Sequence, residues 1–330
     1  MDHQKRIITQ VYDKDKKRIM KIGFIGVGIM GKSMVRNLMK AGYELHIFAR
    51  DKDKVEDVIN EGAIFHNNIK DCVSDVDTVI TIVGFPPDVE EVYFDTGNIL
   101  DSAKPGAFLI DMTTTSPTLA EKIYQEGTER WYRVLDAPVS GGDVGAKAGT
   151  LSIFVGGDEK DYMECLPIFL AMGTNINYQG KAGNGQHCKL ANQIMIAGAL
   201  TGVCEGLSYA LSKGLNPDTF IKSVASGSAG SRQLDMLGPR IIQGDYQPGF
   251  FLKHFVKDLT LALQEANRSE LNLEMLSQML AIYEELQAEG YGELGTQALM
   301  KYYETPMNPW VESDLDELKA INARLTSSHQ

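Results

Sequence analysis

The chain has 330 residues, 43% hydrophobic and 23% charged, a globular composition long enough for two domains. Its formal charge of -12 argues against a sequence-independent nucleic-acid binder, so any anionic ligand must be held by local features. The longest apolar runs, near Ile22 and Ile80, fall short of the roughly 20 residues that a bilayer span needs, and no membrane segment is expected.

Residues 1–19 are polar, with a charged run Lys14–Arg18 and no signal-peptide apolar core. This predicts a disordered extension, with Met20 as the functional start and no export signal. From Lys21 to about Gly180, short β-branched runs alternate with helical segments. Strands are expected at Ile22–Ile25, Glu44–Phe48, Thr78–Val83, Ala107–Asp111, Val134–Asp136, Leu151–Val155 and Asn175–Tyr178, which predicts a doubly wound parallel α/β sheet. After Gly183 helical spacing takes over, and Asn216-Pro217 reads as an N-cap with proline in the first helical position. Three segments follow: an extension over 1–19, an α/β domain over 20–182, and an all-helical substrate and oligomerisation domain over 183–330. The cysteines Cys72, Cys165, Cys188 and Cys204 form no CxxC pair, which suits a reducing cytoplasm.

The first strand runs into Gly26-Val27-Gly28-Ile29-Met30-Gly31, and a helical stretch over Lys32–Lys40 follows. In that strand-to-helix setting Gly26 permits the tight turn and Gly28 lets backbone approach a pyrophosphate. Gly31 lets helix and strand pack closely while the helix N-terminal amides face the anion. This is the phosphate loop of a Rossmann-type dinucleotide site. At the end of the second strand an acidic residue selects the ribose of NAD, whereas an arginine accommodates the 2′-phosphate of NADP. Here Ala49 takes the acidic position and Arg50 and Asp51 follow, which favours NADP over NAD.

Further motifs are Asp111-Met112-Thr113-Thr114, Asp136-Ala137-Pro138-Val139-Ser140-Gly141-Gly142, Gly183-Asn184-Gly185 with Lys189, and Lys257-Asp258-Leu259. In this order they resemble the β-hydroxyacid dehydrogenase family, which includes 3-hydroxyisobutyrate dehydrogenase, tartronate semialdehyde reductase and the glyoxylate/succinic semialdehyde reductases. The resemblance covers Met20 to about Leu318. It implies that Thr114 lies beside the nicotinamide and Val83-Gly84 along the cofactor, although the Leu-Pro pair common there is absent. It also implies that Lys257 contacts the cofactor and that Asp258 lies on the substrate side. Ser140-Gly141-Gly142 offers a hydroxyl and closely approachable amides, and by resemblance forms the substrate carboxylate clamp.

Gly185 opens a long apolar helix on which Lys189, Asn192, Gln193 and Ile196 share a face. The resemblance makes Lys189 the catalytic lysine. Reducing a carbonyl builds negative charge on oxygen, which Lys189 relieves as general acid; in oxidation it acts as base, which requires an amine pKa near ~7–8. Gln193 stands where the family commonly has asparagine, and either it or Asn192 is a candidate to orient substrate. Phe250 and Leu252 are candidates for an apolar pocket wall or for core. His187, two residues before Lys189, points elsewhere, and His46 and His66 are expected to lack cluster partners, so no metal is expected.

These readings imply an NAD(P)-dependent enzyme interconverting a small hydroxy acid and its semialdehyde or keto acid, as a homodimer or homotetramer. A second reading, an oxidative decarboxylase resembling 6-phosphogluconate dehydrogenase, lacks a concentrated Arg/Lys set for a sugar phosphate. A third, a non-catalytic dinucleotide-binding module, would be expected to have lost Lys189.

Overall fold

The computed structural model describes residues 20–304; the predicted extension over 1–19 lies outside them. The chain divides into two compact units that meet in sequence between Leu190 and Ala191.

The first unit is built on a sheet of strands β1 (Lys21–Ile25), β2 (Glu44–Phe48), β3 (Ile64–His66), β4 (Thr78–Thr81), β5 (Phe108–Asp111), β6 (Arg133–Asp136), β7 (Val139–Ser140), β8 (Leu151–Gly157) and β9 (Gly173–Gly180). Their order is β3-β2-β1-β4-β5-β6-β8-β7, with β9 beside β8. The strands through β6 are mutually parallel, and the order reverses between β1 and β4, the place where sheets of this kind bind ligands beyond the strand ends. Alternate residues of a strand enter opposite faces. Phe24, Ile80 and Ile110 pack with Met34, Leu38 and Phe169, whereas Ile25, Val79 and Leu109 pack with Val89, Tyr93 and Ile123. Burial on both faces explains why these strands read as nearly continuous apolar runs.

The wholly parallel expectation needs correction beyond β6, because β8 runs antiparallel to β6 and β7 while β9 runs parallel to β8. Strand β3 was not expected: three residues are too few for periodicity to register. The β4 ladder stops at Thr81 rather than Val83, whose amide turns to donate to Thr113 Oγ1 at 3.0 Å.

The second unit is helical. After the helix Asn184–Ser212 come Pro217–Ala225, Arg232–Ile242, Leu252–Arg268 and Glu274–Ala288, followed by short helical turns to Tyr303. The Asn216 side chain accepts from the Thr219 amide at 2.9 Å and Pro217 follows it, as the sequence predicts. Phe255 packs edge-on against Tyr283, with centroids 5.1 Å apart. Leu252 is fully buried and belongs to this core, whereas Phe250 is only partly buried.

Strand pattern gives way to helix at 182/183, but the compact units divide some eight residues later. The first turns of Asn184–Ser212 are hydrogen-bonded to the sheet unit through Asp136 and Gln186. This helix also corrects the expectation about apolar runs. It has 29 residues, and an 18-residue stretch of it has a mean hydropathy of 1.5, enough in length and composition to cross a bilayer. Gln186, Lys189 and Gln193 are buried along it, and both glutamine amides are hydrogen-bonded to protein.

Candidate active site

The parallel strands end in one row. Ile25 pairs with Phe48 and Thr81, Thr81 with Asp111, and Asp111 with Asp136. The residues that leave this row are Gly26, Ala49, Ile82, Met112 and Ala137, so the predicted cofactor and clamp segments of this unit all emerge from the same edge. That edge is where open α/β sheets bind ligands.

In the glycine loop Gly26 has φ 96°, and a Cβ there would lie 2.1 Å from the Ile82 carbonyl oxygen. Gly28 instead faces open space, with no heavy atom within 4 Å of such a Cβ. Val27 is buried, whereas Gly28 and Ile29 are exposed. The helix Ile29–Lys40 starts without a side-chain cap and without an acidic residue in its first turn. Its first amides therefore face a space that no carboxylate fills, and these residues fit a dinucleotide pyrophosphate. Lys32 and Arg36 of this helix reach Asp57, and Arg36 also holds Glu61, which pins the helix to the segment that follows β2.

At the end of β2, the Arg50 side chain is 79% exposed and its Nη1 lies 3.5 Å from Asp88 Oδ1. Asp51 turns back into its own loop, where Oδ1 accepts from the Asp53 amide at 3.1 Å and Oδ2 lies 3.4 Å from Lys54 Nζ.

Beyond β5, Thr113 and Thr115 are buried and Thr114 between them is half-buried. Asp111 Oδ1 accepts from Thr81 Oγ1 at 2.8 Å and from the Thr113 amide at 3.1 Å. Burial pushes the Asp111 carboxyl up to about 6, opposed by these hydrogen bonds.

The Ser140-Gly141-Gly142 stretch, expected as the carboxylate clamp, comprises a strand end, a turn and a helix start. Ser140 pairs with Ser152 in the β7–β8 ladder, Gly141 turns the chain at φ 134°, and Gly142 starts the helix Gly142–Ala148. Lys189, 6% exposed, sits in the second turn of Asn184–Ser212. The start of that helix rests on Asp136, whose carboxylate accepts from the Gly183 amide at 2.8 Å and the Gln186 amide at 2.9 Å. The Gln186 side chain donates to Thr113 O at 2.8 Å and accepts from Thr115 N at 3.0 Å. Sequence reasoning missed both roles. Asp136 stood inside a quoted motif and Gln186 three residues before Lys189, but only their contacts reveal what they hold.

In the helical unit, four residues singled out in the sequence form one polar chain. Asn192 Nδ2 donates to Gln193 Oε1 at 2.8 Å, Gln193 Nε2 donates to Asp258 Oδ2 at 2.6 Å, and Lys257 Nζ lies 3.0 Å from Asp258 Oδ1. The Lys257 contact is an ion pair without hydrogen-bond alignment at Asp258 Oδ1. Asp258 only accepts while ionised, which fixes the Gln193 amide with nitrogen toward Asp258 and oxygen toward Asn192. Asp258 is fully buried rather than part of a wet helix face.

The expectation that His46 and His66 lack partners is corrected. Pairing of β2 with β3 brings His46 Nδ1 within 2.8 Å of His66 Nε2, and His46 Nε2 within 2.9 Å of Glu44 Oε1. Among the described residues no group of three or more His, Cys, Asp and Glu could hold a metal ion, and His187 is exposed.

A doubly wound sheet with a glycine loop at its order reversal defines a dinucleotide-binding oxidoreductase fold. Residues 21–180 match the NAD binding domain of 6-phosphogluconate dehydrogenase, and residues 183–303 match the NAD-binding region of NADP-dependent 3-hydroxyisobutyrate dehydrogenase. The Arabidopsis thaliana protein named "Probable 3-hydroxyisobutyrate dehydrogenase-like 1, mitochondrial" is 44% identical over 89% of this chain and 88% of its own length. The 2-hydroxy-3-oxopropionate reductase of Escherichia coli is 36% identical over 88% and 99%. The structure of Mycobacterium tuberculosis 3-hydroxyisobutyrate dehydrogenase with L-serine superposes with a TM-score of 0.78 at 27% identity, covering 86% of this chain and 99% of that one. The chain belongs to the 3-hydroxyisobutyrate dehydrogenase family of β-hydroxyacid dehydrogenases and is an NAD(P)-dependent oxidoreductase.

Proposed function

We propose that this enzyme interconverts a small hydroxy acid and its semialdehyde or keto acid, with Lys189 as general acid and base. The observation that carries this reading is Lys189 itself, a buried amine on a helix fastened to the strand-end loops that bear the cofactor and clamp motifs. When bound, the nicotinamide supplies or takes up the hydride at the substrate carbon. Lys189 Nζ gives its proton to the carbonyl oxygen as that oxygen gains charge, leaving a hydroxyl; in oxidation the amine takes the proton back. Ser140 and the amides of Gly141 and Gly142 hold the substrate carboxylate, and Thr114 and Val83-Gly84 flank the cofactor. Lys257, Asn192, Gln193 and Asp258, linked within the helical unit, are the further residues we assign to ligand binding. The relatives named for 3-hydroxyisobutyrate and 2-hydroxy-3-oxopropionate support this substrate class. The test is cofactor oxidation with succinic semialdehyde, tartronate semialdehyde and glyoxylate, and the reverse reaction with 3-hydroxyisobutyrate. We expect turnover with at least one; cofactor binding without turnover on any of them would sink the enzyme assignment.

NADP is the cofactor we assign over NAD. Arg50 projects into solvent at the end of β2, while the nearby Asp51 is engaged with its own loop. Arg50→Ala should therefore lower the NADPH to NADH ratio of kcat/KM by about tenfold or more, the worth of one charge-assisted hydrogen bond to a phosphate. Kinetics with both cofactors checks this, and a parent enzyme that prefers NADH overturns it. We also assign a homodimer or homotetramer in a reducing cytoplasm. The apolar side chains Met195 and Tyr209, exposed on Asn184–Ser212, support self-association, and the free thiols support the compartment.

A further inference from the structure

We propose that Gln186 and Asp136 are positioning residues for Lys189: together they set the helix that carries it against the loop that flanks the nicotinamide. This rests on the reading of Lys189 as the acid and base.

A helix start leaves amides without intrahelical partners, and one acceptor often suffices to cap it. Here Asp136 already does so, accepting from the amides of Gly183 and Gln186. These bonds oppose the rise that burial imposes on its carboxyl. The fit is close. A Cβ at Gly185 would lie 2.7 Å from Asp136 Oδ2 and 2.4 Å from the Phe154 carbonyl oxygen, so only glycine lets the helix come down onto β6 and β8.

With the helix start capped, the Gln186 side chain makes a second attachment, to a different strand end. Its nitrogen meets the Thr113 carbonyl and its oxygen meets the Thr115 amide, so one side-chain amide straddles Thr114. Gln186, Thr113 and Thr115 are almost entirely buried, which leaves little room for solvent to replace either bond. Two hydrogen bonds to one planar group constrain both translation and rotation, where a single cap fixes neither fully. Lys189 follows three residues later on the same helix face, about 4.5 Å along the axis. A shift of the helix relative to the Thr113–Thr115 loop must break the Gln186 pair. The amide therefore ties the height of the Lys189 amine to the loop beside the nicotinamide.

The two partners require one donor and one acceptor on the same side-chain end, which a neutral amide supplies. A leucine would leave Thr113 O and Thr115 N buried and unpaired, and a glutamate would turn an anion onto the Thr113 carbonyl while still accepting from Thr115. Protonation of that glutamate would restore the missing donor.

The test compares the parent with Gln186→Leu, Gln186→Glu and Lys189→Ala as full-length enzymes, using NADPH carrying hydrogen or deuterium at the transferred position and the best aldehyde substrate found. For Gln186→Leu, kcat should fall about 10- to 100-fold while the NADPH dissociation constant changes less than about threefold, because misplacement by about an ångström has effects of that size on the chemical step. The deuterium isotope effect on kcat should rise as hydride transfer becomes rate-limiting. For Gln186→Glu, which conserves shape if the leucine variant fails to fold, kcat relative to the parent should increase as pH is lowered and the carboxyl protonates. A parent-like kcat and isotope effect in both Gln186 variants, with Lys189→Ala inactive, overturns the positioning role alone. Full turnover by Lys189→Ala instead removes the reading on which it rests. A loss of NADPH affinity as large as the loss of kcat also overturns the proposal, since Gln186 would then serve the cofactor loop and not the lysine.

Discussion

Lys189→Ala is expected to lower kcat by about 10²- to 10⁴-fold, the usual range for removing a general acid or base, with NADPH affinity close to that of the parent. The two effects separate because the pyrophosphate cradle lies at Gly26–Gly31 whereas Lys189 lies on the helix Asn184–Ser212. Alanine is the best helix former, so the helix and its fastening through Gln186 should persist, and the deleted side chain leaves space rather than strain. Steady-state kinetics together with fluorescence titration of NADPH measures both quantities. Added primary amines should recover part of the lost rate. If NADPH affinity collapses with kcat, Lys189 supports cofactor binding and the acid/base role is lost.

Gly26→Ala and Gly28→Ala should fail in opposite ways, although only Val27 separates them. At Gly26 an alanine meets a φ of 96° and a carbonyl oxygen 2.1 Å from its Cβ, both imposed by backbone. The strain and overpacking together should destabilise the fold by about 2–6 kcal/mol, read as a lowered Tm. At Gly28 the backbone is extended and nothing lies within 4 Å, so the Tm should shift by no more than about 0.5 kcal/mol would produce. The new methyl would instead occupy the space left for the pyrophosphate, and NADPH affinity should fall by at least about tenfold, because close backbone approach at this glycine is what the loop provides. A Gly28→Ala protein that binds NADPH like the parent would falsify the cradle.

The central strands were legible because burial on both faces writes itself as short runs rich in apolar and β-branched residues, as in Thr78–Thr81 and Phe108–Asp111. The helix caps at Asn216 and Pro217 were legible because capping is local. Strand β3 was not, since three residues carry no period and its place depends on pairing with β2. For the same reason the His46–His66 contact, 20 residues apart, could not be anticipated.

The glycine loop, the order of the motifs, the change from α/β to helical pattern and the presence of Lys189 could all be read along the chain. These depend on residue type and short-range spacing, which backbone sterics translate directly into structure. Folding in three dimensions was needed to reveal that Asp136 caps the helix bearing Lys189, that Gln186 joins that helix to Thr113 and Thr115, and that Asn192, Gln193, Asp258 and Lys257 form one chain. Gln186 and Thr113 stand 73 positions apart, and Gln193 and Asp258 stand 65 apart. Hydrogen bonds over such separations depend on burial and on the register of neighbouring elements, which no local pattern encodes.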